Sequence, residues 1–329
     1  MKRSLQLLLL AAGLAAFAWT VRAAGLERLS ALGPALAGPG LSFLLVYAFM
    51  CAWDVAGWQV LFPPETPRPS FGGLYLIRLA GEAFNNITPF VDVGGEFLKV
   101  TLTAGRFGVR KKSALASVVV ERSLLFFSEI LFWALGAALV RFVFPAAKVW
   151  DGALFATLAV CAALGAALWA AQRKGFFLSV MGALRSLGLE PKLPEKLHLS
   201  MREIDAEIAA FYSGEAARGR LSVSLVLHFV GWVAGGLEMY VLFRLAGAPI
   251  ALGDAVLFES FFQLLRTASF FIPGNLGAQE AGLAVMARWT GHDFSAGVAV
   301  SLLKRLRQLV WTAVGFAVWA ALKPAPESA

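Results

Sequence analysis

Two stretches of the chain, NITPFVDVGGEFLKVTLT at 86–103 and FFIPGNLGAQEAGLAVMARWTG at 270–291, carry one pattern twice. In each copy a proline precedes a glutamate by seven residues, and further along an arginine follows a glycine by fourteen. The matched positions are Asp54, Pro89, Glu96, Gly108 and Arg122 in the first copy and Glu238, Pro273, Glu280, Gly291 and Arg305 in the second. A charge within apolar sequence costs roughly 2.5–3.5 kcal/mol on membrane-insertion scales. Two matching sets therefore predict a duplicated membrane unit with a polar centre.

The composition predicts a membrane protein. Apolar residues make up 59% and charged residues 15% of the 329 residues, which is far more apolar than a soluble chain. The net charge of +8 is spread over short loops, which indicates membrane orientation rather than nucleic-acid binding. His198, His228 and His292 lie far apart, and Cys51 and Cys161 lie in apolar segments. We therefore expect no metal site, no disulfide and no cofactor.

Apolar runs of the length that spans a bilayer predict an all-α polytopic membrane protein. We predict six full spans, at residues 5–21, 41–62, 113–140, 151–171, 220–247 and 294–320. Two further segments, 71–105 and 254–290, are each too long for one span and are interrupted by turn residues. Unwound backbone at membrane depth must be buried in protein or line a wet cavity. We therefore predict two re-entrant helical hairpins whose tips meet near the bilayer midplane.

The hairpin turns are predicted from residues that disfavour a helix. Proline removes a backbone donor, and glycine and asparagine favour non-helical backbone. The predicted turn residues are Asn85, Asn86, Pro89, Gly94 and Gly95 in the first hairpin and Pro273, Gly274, Asn275 and Gly277 in the second.

Basic residues predict the orientation of the chain in a bacterial inner (cytoplasmic) membrane. The loop at 105–112 and the stretch at 172–220 are rich in lysine and arginine, whereas the loops at 22–40, 141–150 and 248–253 are poor in them. The rich loops belong in the cytoplasm, so both chain termini are predicted there as well. The first hairpin then opens from the cytoplasm and the second from outside, which makes the two copies an inverted repeat.

This orientation divides the chain into five parts. They are a first span and external loop at 1–40, the first repeat at 41–140, an extra span at 141–172, a cytoplasmic amphipathic linker at 173–219 and the second repeat at 220–322. The N-terminus also has features of a signal peptide, but Arg22 beside the candidate cleavage site favours an uncleaved span. In the linker, apolar residues at helical spacing between Leu197 and Phe211 predict an amphipathic helix. It lies either on the cytoplasmic leaflet or over the spans as a cover.

Charged residues within the apolar segments are the candidate site. Glu96 and Glu280 each follow a glycine-rich turn, so we place them near the N-terminus of a short helix, where a carboxylate is stabilised. Such a group can bind an ammonium, take up a proton or pair with a cationic side chain; alternatively it only caps its helix. Lys304 and Arg307 share one helix face and could hold a lipid phosphate, or form a buried pair that fixes packing.

The predicted substrate-binding residues are Glu96, Arg122, Glu280, Lys304, Arg305 and Arg307, with Asp54, Glu121, Glu129 and Glu238 as secondary candidates. No catalytic residue is predicted, since the chain has no Walker A loop, dinucleotide fingerprint, Gly-x-Ser-x-Gly elbow or Cys-x-x-Cys.

The two opening stretches, together with GVRKKSALASVVVERSLLF at 108–126 and AGVAVSLLKRLRQLVW at 296–311, resemble the flippase-like family that includes the transmembrane region of lysylphosphatidylglycerol synthases. The resemblance extends from about Asp54 to Trp319. It implies inner-membrane movement of a lipid without ATP hydrolysis by the protein itself. Within the family, Gln279-Glu280 and the run that follows Leu303 most resemble hopanoid-transport proteins encoded beside hopanoid biosynthesis genes.

In the synthases, aminoacyl transfer belongs to a large soluble domain that follows the membrane region. Only seven residues follow Leu322 in this chain, so we expect that activity to be absent. The leading hypothesis is a lipid translocator, with a membrane lipid as substrate and lipid-biosynthesis or envelope-transport proteins as partners. The alternatives are a secondary carrier of small solutes that uses Glu96 and Glu280 as proton or cation sites, and a membrane-embedded enzyme that acts on a lipid head group.

Overall fold

The structure is a computed structural model that describes residues 41–64, 66–87, 94–143, 151–186, 188, 195–270 and 272–322, together with isolated positions within the first forty. The described part of the chain is helical and contains no β-strand. Its helices are α1 (Ser42–Leu61), α2 (Phe71–Ile87), α3 (Gly94–Phe107), α4 (Lys111–Val143), α5 (Asp151–Lys174), α6 (Phe176–Ser186), α7 (Glu195–Phe211), α8 (Glu215–Leu245), α9 (Leu252–Ala268), α10 (Ala278–Trp289) and α11 (Phe294–Ala321), with a 3₁₀ turn at Pro273–Asn275.

Three helices of the described chain are long and apolar enough to cross a membrane: Ser42–Leu61, Lys111–Val140 and Ala216–Leu245. They coincide with the spans predicted at 41–62, 113–140 and 220–247. The described part of the chain is therefore all-helical, with three helices that suit a membrane protein. The prediction at 5–21 falls outside the described residues, apart from isolated positions.

The predicted spans at 151–171 and 294–320 are helical, as α5 and α11. Helix α11 is long enough to span a bilayer at 28 residues. It carries Lys304, Arg305 and Arg307 near its middle, and it is not among the three helices named above.

Helices α1 and α8 pack closely against each other and run antiparallel. Their facing residues are Gly57 with His228, Asp54 with Gly231, and Met50 with Gly235. The two helices run antiparallel because residues later in α8 contact residues earlier in α1. Gly231 and Gly235 form a Gly-x-x-x-Gly pair, and small residues at this spacing let two membrane helices approach closely.

Each helical hairpin packs against the long helix of the other half of the chain. Helix α2 packs on α3 and also on α11, while α9 packs on α10 and also on α4. Asn86 of α2 donates a hydrogen bond of 2.9 Å to Thr312 of α11. In the other half, Ser260 of α9 donates one of 3.2 Å to the carbonyl of Phe132 in α4. The two halves therefore interlock through their hairpins.

The first hairpin closes where Gly95 of α3 meets Gly81 of α2. A Cβ atom built on Gly95 would lie 1.8 Å from the carbonyl oxygen of Gly81, so only glycine fits at this crossing. The repeated glycines of the sequence pattern have a different role. Gly108 (φ +65) ends α3 and Gly291 (φ +82) ends α10, since a left-handed residue after a helix is most often glycine.

The first predicted turn differs in detail from the structure. Asn85 and Asn86 belong to the last turn of α2, and Gly94 and Gly95 begin α3, so these four residues flank the break instead of forming it. The helix continues through Asn85 because its side chain, not its backbone, reaches across: Oδ1 accepts the N–H of Gly95 at 2.7 Å. Pro89 lies outside the described residues.

The second turn lies where the sequence predicted it. Pro273–Asn275 forms one 3₁₀ turn, and Gly274 (φ +62), Asn275 (φ +51) and Gly277 (φ +79) have left-handed backbone. Gly277 then directly precedes α10. This unwound segment separates α9 from α10.

The amphipathic helix of the linker is α7, and it packs on the start of α4. Ile208 and Phe211 are buried in an apolar core that they share with residues of α1, α2 and α4. On the polar side, Glu207 lies 2.8 Å from Arg110 and accepts a hydrogen bond of 2.8 Å from Ser113. Helix α7 therefore covers the start of α4.

Candidate functional site

The first motif carboxylate, Glu96, lies in the first turn of α3. Its Oε1 atom is 2.9 Å from Arg122 Nε and accepts a hydrogen bond of 3.1 Å from Asn85. Its Oε2 atom is 3.1 Å from Lys99 Nζ. The partial positive charge of the helix N-terminus adds to these contacts. Glu96 is therefore held as a carboxylate by two cations, one amide and a helix end.

Lys99 extends this cluster into the protein. Its Nζ atom lies 2.9 Å from Glu121 Oε2 and 4.7 Å from the ring centroid of Trp58. Lys99 and Glu121 are buried, whereas the side chain of Arg122 is 39% exposed. The cluster is thus closed on the Lys99 side and open on the Arg122 side.

The second motif carboxylate, Glu280, is fully buried in the first turn of α10. Its Oε2 atom accepts the N–H of Gly277 at 2.8 Å, and its Oε1 atom is 2.8 Å from Arg305 Nε. Arg305 also donates to the carbonyls of Gly274 at 2.7 Å and Asn275 at 3.1 Å. One guanidinium therefore ties the carboxylate to the unwound tip of the second hairpin.

Helix α11 contributes a further buried cluster. Lys304 Nζ lies 2.9 Å from Glu238 Oε2 and 2.7 Å from Glu259 Oε2. Arg307 Nε lies 2.9 Å from the other oxygen of Glu238. Both carboxylates are fully buried. Two cations therefore face two carboxylates, which is the pairing that buried charges require.

Another cluster joins α1 to α2. Asp54 Oδ2 is 2.6 Å from Arg78 Nη2, and Arg78 Nη1 is 2.6 Å from Glu82 Oε2. Tyr47 donates a hydrogen bond to Glu82. The guanidinium carbon of Arg307 lies 4.1 Å from the centroid of the Tyr47 ring. This cation–π contact joins the α1–α2 cluster to the α11 cluster.

Two adjacent asparagines connect the motif sites. Asn85 donates to Glu96, and Asn86 Oδ1 accepts a hydrogen bond of 3.1 Å from Gln308. Gln308 Oε1 in turn accepts from Arg305 at 3.4 Å. Because Arg305 pairs with the second motif carboxylate, polar contacts from these two adjacent residues lead to both motif sites, and the backbone of α2 joins the two sets of contacts.

The structure brings the predicted residues into these clusters, namely Glu96, Arg122, Glu280, Lys304, Arg305 and Arg307, with Asp54, Glu121 and Glu238 beside them. Glu129 has a different contact: it accepts a hydrogen bond of 3.0 Å from Thr267 of α9. It therefore takes part in the packing of α4 against α9.

Four members of the clusters were absent from the sequence-based set: Arg78, Glu82, Lys99 and Glu259. The sequence carries a signal for each. Glu82 follows Arg78 by four residues and Lys99 follows Glu96 by three, and residues at these spacings share a helix face. Glu259 is the one acid in the apolar stretch at 255–265, and such residues mark functional positions in membrane proteins.

The arrangement can bind a polar group by exchange. Every cluster contains both carboxylates and cations at ion-pair distance. A phosphate can replace a carboxylate beside an arginine, and an ammonium can replace a lysine or arginine beside a carboxylate. A ligand with a charged head can thus pair with one member of a cluster where the displaced member keeps a second partner, as Glu96 displaced from Arg122 keeps Lys99.

Comparisons with known proteins agree with the membrane assignment. The family described as "Lysylphosphatidylglycerol synthase TM region" matches residues 5–315. The chain is also 23% identical over 273 residues to a "UPF0104 membrane protein" of Methanothermobacter thermautotrophicus, which covers 81% of this chain and 78% of that protein. No solved structure matches the chain.

Proposed function

Because the chain belongs to the family of lysylphosphatidylglycerol synthase TM regions, we propose that it is a lipid translocator of the bacterial inner membrane. The polar head group of the lipid passes through the charged interior while the acyl chains stay in the bilayer. The family assignment supplies the link to lipids, and the geometry of the interior supplies the mechanism.

The observation that carries the proposal is that polar contacts from two adjacent residues of α2 lead to the two motif carboxylates. Asn85 contacts Glu96, while Asn86 contacts Gln308, which in turn contacts Arg305, the partner of Glu280 on the other hairpin. Charged groups in the interior of a membrane protein are costly and commonly mark substrate paths. A protein with only a structural role could use apolar residues at these positions.

The proposed architecture is an inverted repeat. The first repeat comprises α1, the α2–α3 hairpin and α4, and the second comprises α8, the α9–α10 hairpin and α11. The antiparallel course of α1 and α8 supports it, because equivalent helices of an inverted repeat run in opposite directions. Six full spans and two re-entrant hairpins complete the proposal.

A matched contact also supports the duplication. Thr312 follows Arg305 by seven residues, and Glu129 follows Arg122 by seven. Thr312 accepts a hydrogen bond from Asn86 in the first hairpin, and Glu129 accepts one from Thr267 in the second. Equivalent positions thus contact the hairpin of the opposite repeat.

The two motif sites differ in access. The side chain of Glu280 is 0% exposed, whereas those of Glu96 and Arg122 are 16% and 39% exposed. We propose that a head group enters beside Arg122 and displaces Glu96 from it. Transfer to the second site then requires Arg305 to release the carbonyls of Gly274 and Asn275.

The remaining expectations belong to the same proposal. Both chain termini lie in the cytoplasm, so the first hairpin and its open site face that side. Hopanoids are the lipid class that the sequence resemblance favours, and lipid-biosynthesis or envelope-transport proteins are the expected partners. The protein moves the lipid without ATP hydrolysis and without altering it chemically.

The test uses purified protein in vesicles that contain a fluorescent nitrobenzoxadiazole-labelled phosphatidylglycerol. Dithionite bleaches only the label in the outer leaflet. A translocator brings labelled lipid from the inner leaflet outward, so well over half of the fluorescence is bleached. Protein-free vesicles that match this extent would contradict the proposal. The lipids are then extracted and separated, and a new labelled product would favour the head-group enzyme. Slower translocation in the presence of an unlabelled hopanoid polyol would support the hopanoid assignment.

A further inference from the structure

His228 is a fully buried histidine that the proposed path of the head group does not use. Its Nδ1 atom is 3.6 Å from Asp54 Oδ1, beyond hydrogen-bonding distance. Neither ring nitrogen has a hydrogen-bond partner among the described residues. A Cβ atom on Gly57 would lie 2.7 Å from the ring, so the glycine makes room for it. A buried polar ring with both nitrogens unsatisfied requires an explanation.

Asp54 is placed to respond to the charge on this ring. One of its oxygens, Oδ2, is held by Arg78 at 2.6 Å, while Oδ1 faces the imidazole. The ring makes no hydrogen bond to Asp54 in the described structure. A protonated ring carries an N–H on both nitrogens, so Nδ1 can donate to Oδ1 after a small approach.

We propose that His228, together with Asp54, is a proton-binding site that couples lipid movement to the transmembrane proton gradient. This inference rests on the translocator function proposed above and adds its energy source. A proton from water binds the lone pair of Nδ1 and forms an N–H bond. The imidazolium then donates to Asp54, and the same proton leaves to water on the opposite side after the conformational change. No other bond forms or breaks.

The coupling follows from a competition for Asp54. An imidazolium attracts the carboxylate and weakens its hold on Arg78. Arg78 also binds Glu82, which accepts a hydrogen bond from Tyr47. The ring of Tyr47 lies under the guanidinium of Arg307. Protonation at α8 thereby reaches the cluster on α11 that adjoins the second motif site.

Several helices supply charged or titratable groups to this part of the interior. They are Cys51 and Asp54 from α1, Arg78 and Glu82 from α2, Glu121 from α4, Glu238 from α8, Glu259 from α9 and Arg307 from α11. Asp54 is the one of these carboxylates at ion-pair distance from His228 in the described structure. The side chain of Asp54 is 16% exposed and that of His228 is 0% exposed. A proton therefore reaches the ring past Asp54.

The experiment measures two fluxes in the same vesicles. Labelled phosphatidylglycerol reports lipid movement, and the pH dye pyranine inside the vesicles reports protons. If one proton moves with each lipid, a gradient of one pH unit shifts the distribution of lipid between leaflets by about tenfold. We expect this shift, and a proton flux that accompanies it, for the wild-type protein.

The decisive variant is His228→Asn, which cannot take up a proton at this site. It should exchange lipid at equal pH but lose both the response to a gradient and the proton flux. His292→Asn is the matched control, since His292 is a half-buried histidine against Phe243 and away from Asp54. It should respond as the wild type does. A full gradient response in His228→Asn would overturn the inference.

Two further measurements keep the test decisive if His228→Asn does not fold. Asp54→Asn removes the carboxylate charge to which the protonated His228 would donate. A gradient response that is retained in this variant also overturns the inference. Wild-type protein that moves lipid at equal pH, but without proton flux or gradient response, overturns it too and leaves the translocator intact. Wild-type protein that moves no lipid under any condition contradicts the translocator itself.

Discussion

Asn86 and Gln308 are 222 residues apart in the chain, yet the amide of Gln308 donates a hydrogen bond of 3.1 Å to the side-chain oxygen of Asn86. Asn86 lies in the last turn of α2, and Gln308 directly follows Arg307 in α11. Asn86 also donates to Thr312 on the same helix. The end of the first hairpin is therefore fixed to the helix whose Arg305 holds the tip of the second.

This contact predicts a measurable coupling between the two amides. Asn86→Ala and Gln308→Ala should each lower the thermal stability, and the double variant should lose less than the sum. Interhelical hydrogen bonds in membrane proteins average about 0.6 kcal/mol, with a maximum of about 1.7 kcal/mol. A double-mutant cycle by thermal unfolding in detergent measures the coupling. Strict additivity would mean that the bond contributes nothing to stability.

Gly95→Ala should separate α2 from α3. The new Cβ would lie 1.8 Å from the carbonyl oxygen of Gly81, a rigid backbone atom that cannot move without the helix. Overpacking of this kind typically costs about 1–3 kcal/mol and sometimes more. Gly72→Ala is the control on α2, because a Cβ there meets nothing within 4 Å. Equal thermal stability of the two variants would contradict the close crossing.

Lys304→Met should be strongly destabilising. It leaves Glu259 without its cation and Glu238 with Arg307 alone. Breaking a buried ion pair by removing one partner costs about 3–5 kcal/mol. The measurement is the midpoint of thermal unfolding in detergent.

Lys304→Met leaves the charge of Glu259 without its cation, and Glu259→Gln removes that charge. The double variant should therefore regain much of the lost stability and unfold at a higher temperature than Lys304→Met alone. Lys112→Met is the matched control, since its partner Glu203 is exposed and such surface pairs are worth about 0–1 kcal/mol. If Lys304→Met were as mild as Lys112→Met, the pairing would not be important for the fold.

The sequence predicted the parts of the site that depend on local chemistry. Pro273, Gly274 and Asn275 disfavour a helix by themselves, so the second break was predictable. Glu96 and Glu280 follow their turns directly, so their places at helix N-termini were predictable as well.

Contacts between residues far apart in the chain were harder to predict from the sequence. Asn85 looks like a breaker in isolation, but it stays helical because its side chain accepts the N–H of Gly95 on the facing helix. Glu259 lies alone in an apolar stretch of α9, and its role appears only when α9 packs near α11 and Lys304 lies 2.7 Å away. Such pairings depend on which helices become neighbours, and a single sequence does not contain that information.

Cysteine labelling tests the orientation of the two repeats in the membrane. Variants of a protein whose own Cys51 and Cys161 are replaced by serine carry one new cysteine each. A membrane-impermeant maleimide added outside intact cells should label a cysteine at Lys148 or Pro249, because their loops are predicted to face outward. It should label one at Lys111 or Lys192 only after the cells are opened. Labelling at Lys111 from outside would refute the inverted repeat.

The functional role of the motif residues is tested with Glu280→Gln and Arg305→Lys. A glutamine keeps the shape of Glu280 and can still accept the N–H of Gly277, but it loses the charge that faces Arg305. A lysine keeps the charge of Arg305 but has one nitrogen in place of the fork that reaches Glu280, Gly274 and Asn275 together. Both variants should fold, and both should move labelled lipid more slowly.

The matched controls for these variants are Glu203→Gln and Arg244→Lys. Glu203 pairs with an exposed lysine, and Arg244 contacts Tyr240 at the exposed end of α8. Neither lies on the path between the motif sites, so both controls should translocate lipid at the wild-type rate. Thermal unfolding in detergent accompanies every transport measurement.

The combination of the two readouts separates a role in transport from a role in packing. If a residue only caps its helix, loss of its charge lowers the thermal stability. The rate of lipid movement then falls only in proportion to the fraction of protein that is folded. If the residue instead binds the lipid head group, its loss lowers the rate of lipid movement per folded molecule. We expect the second outcome for Glu280→Gln and Arg305→Lys. Normal rates in both would show that the charges do not contact the head group, and unfolding of both would identify them as a structural ion pair.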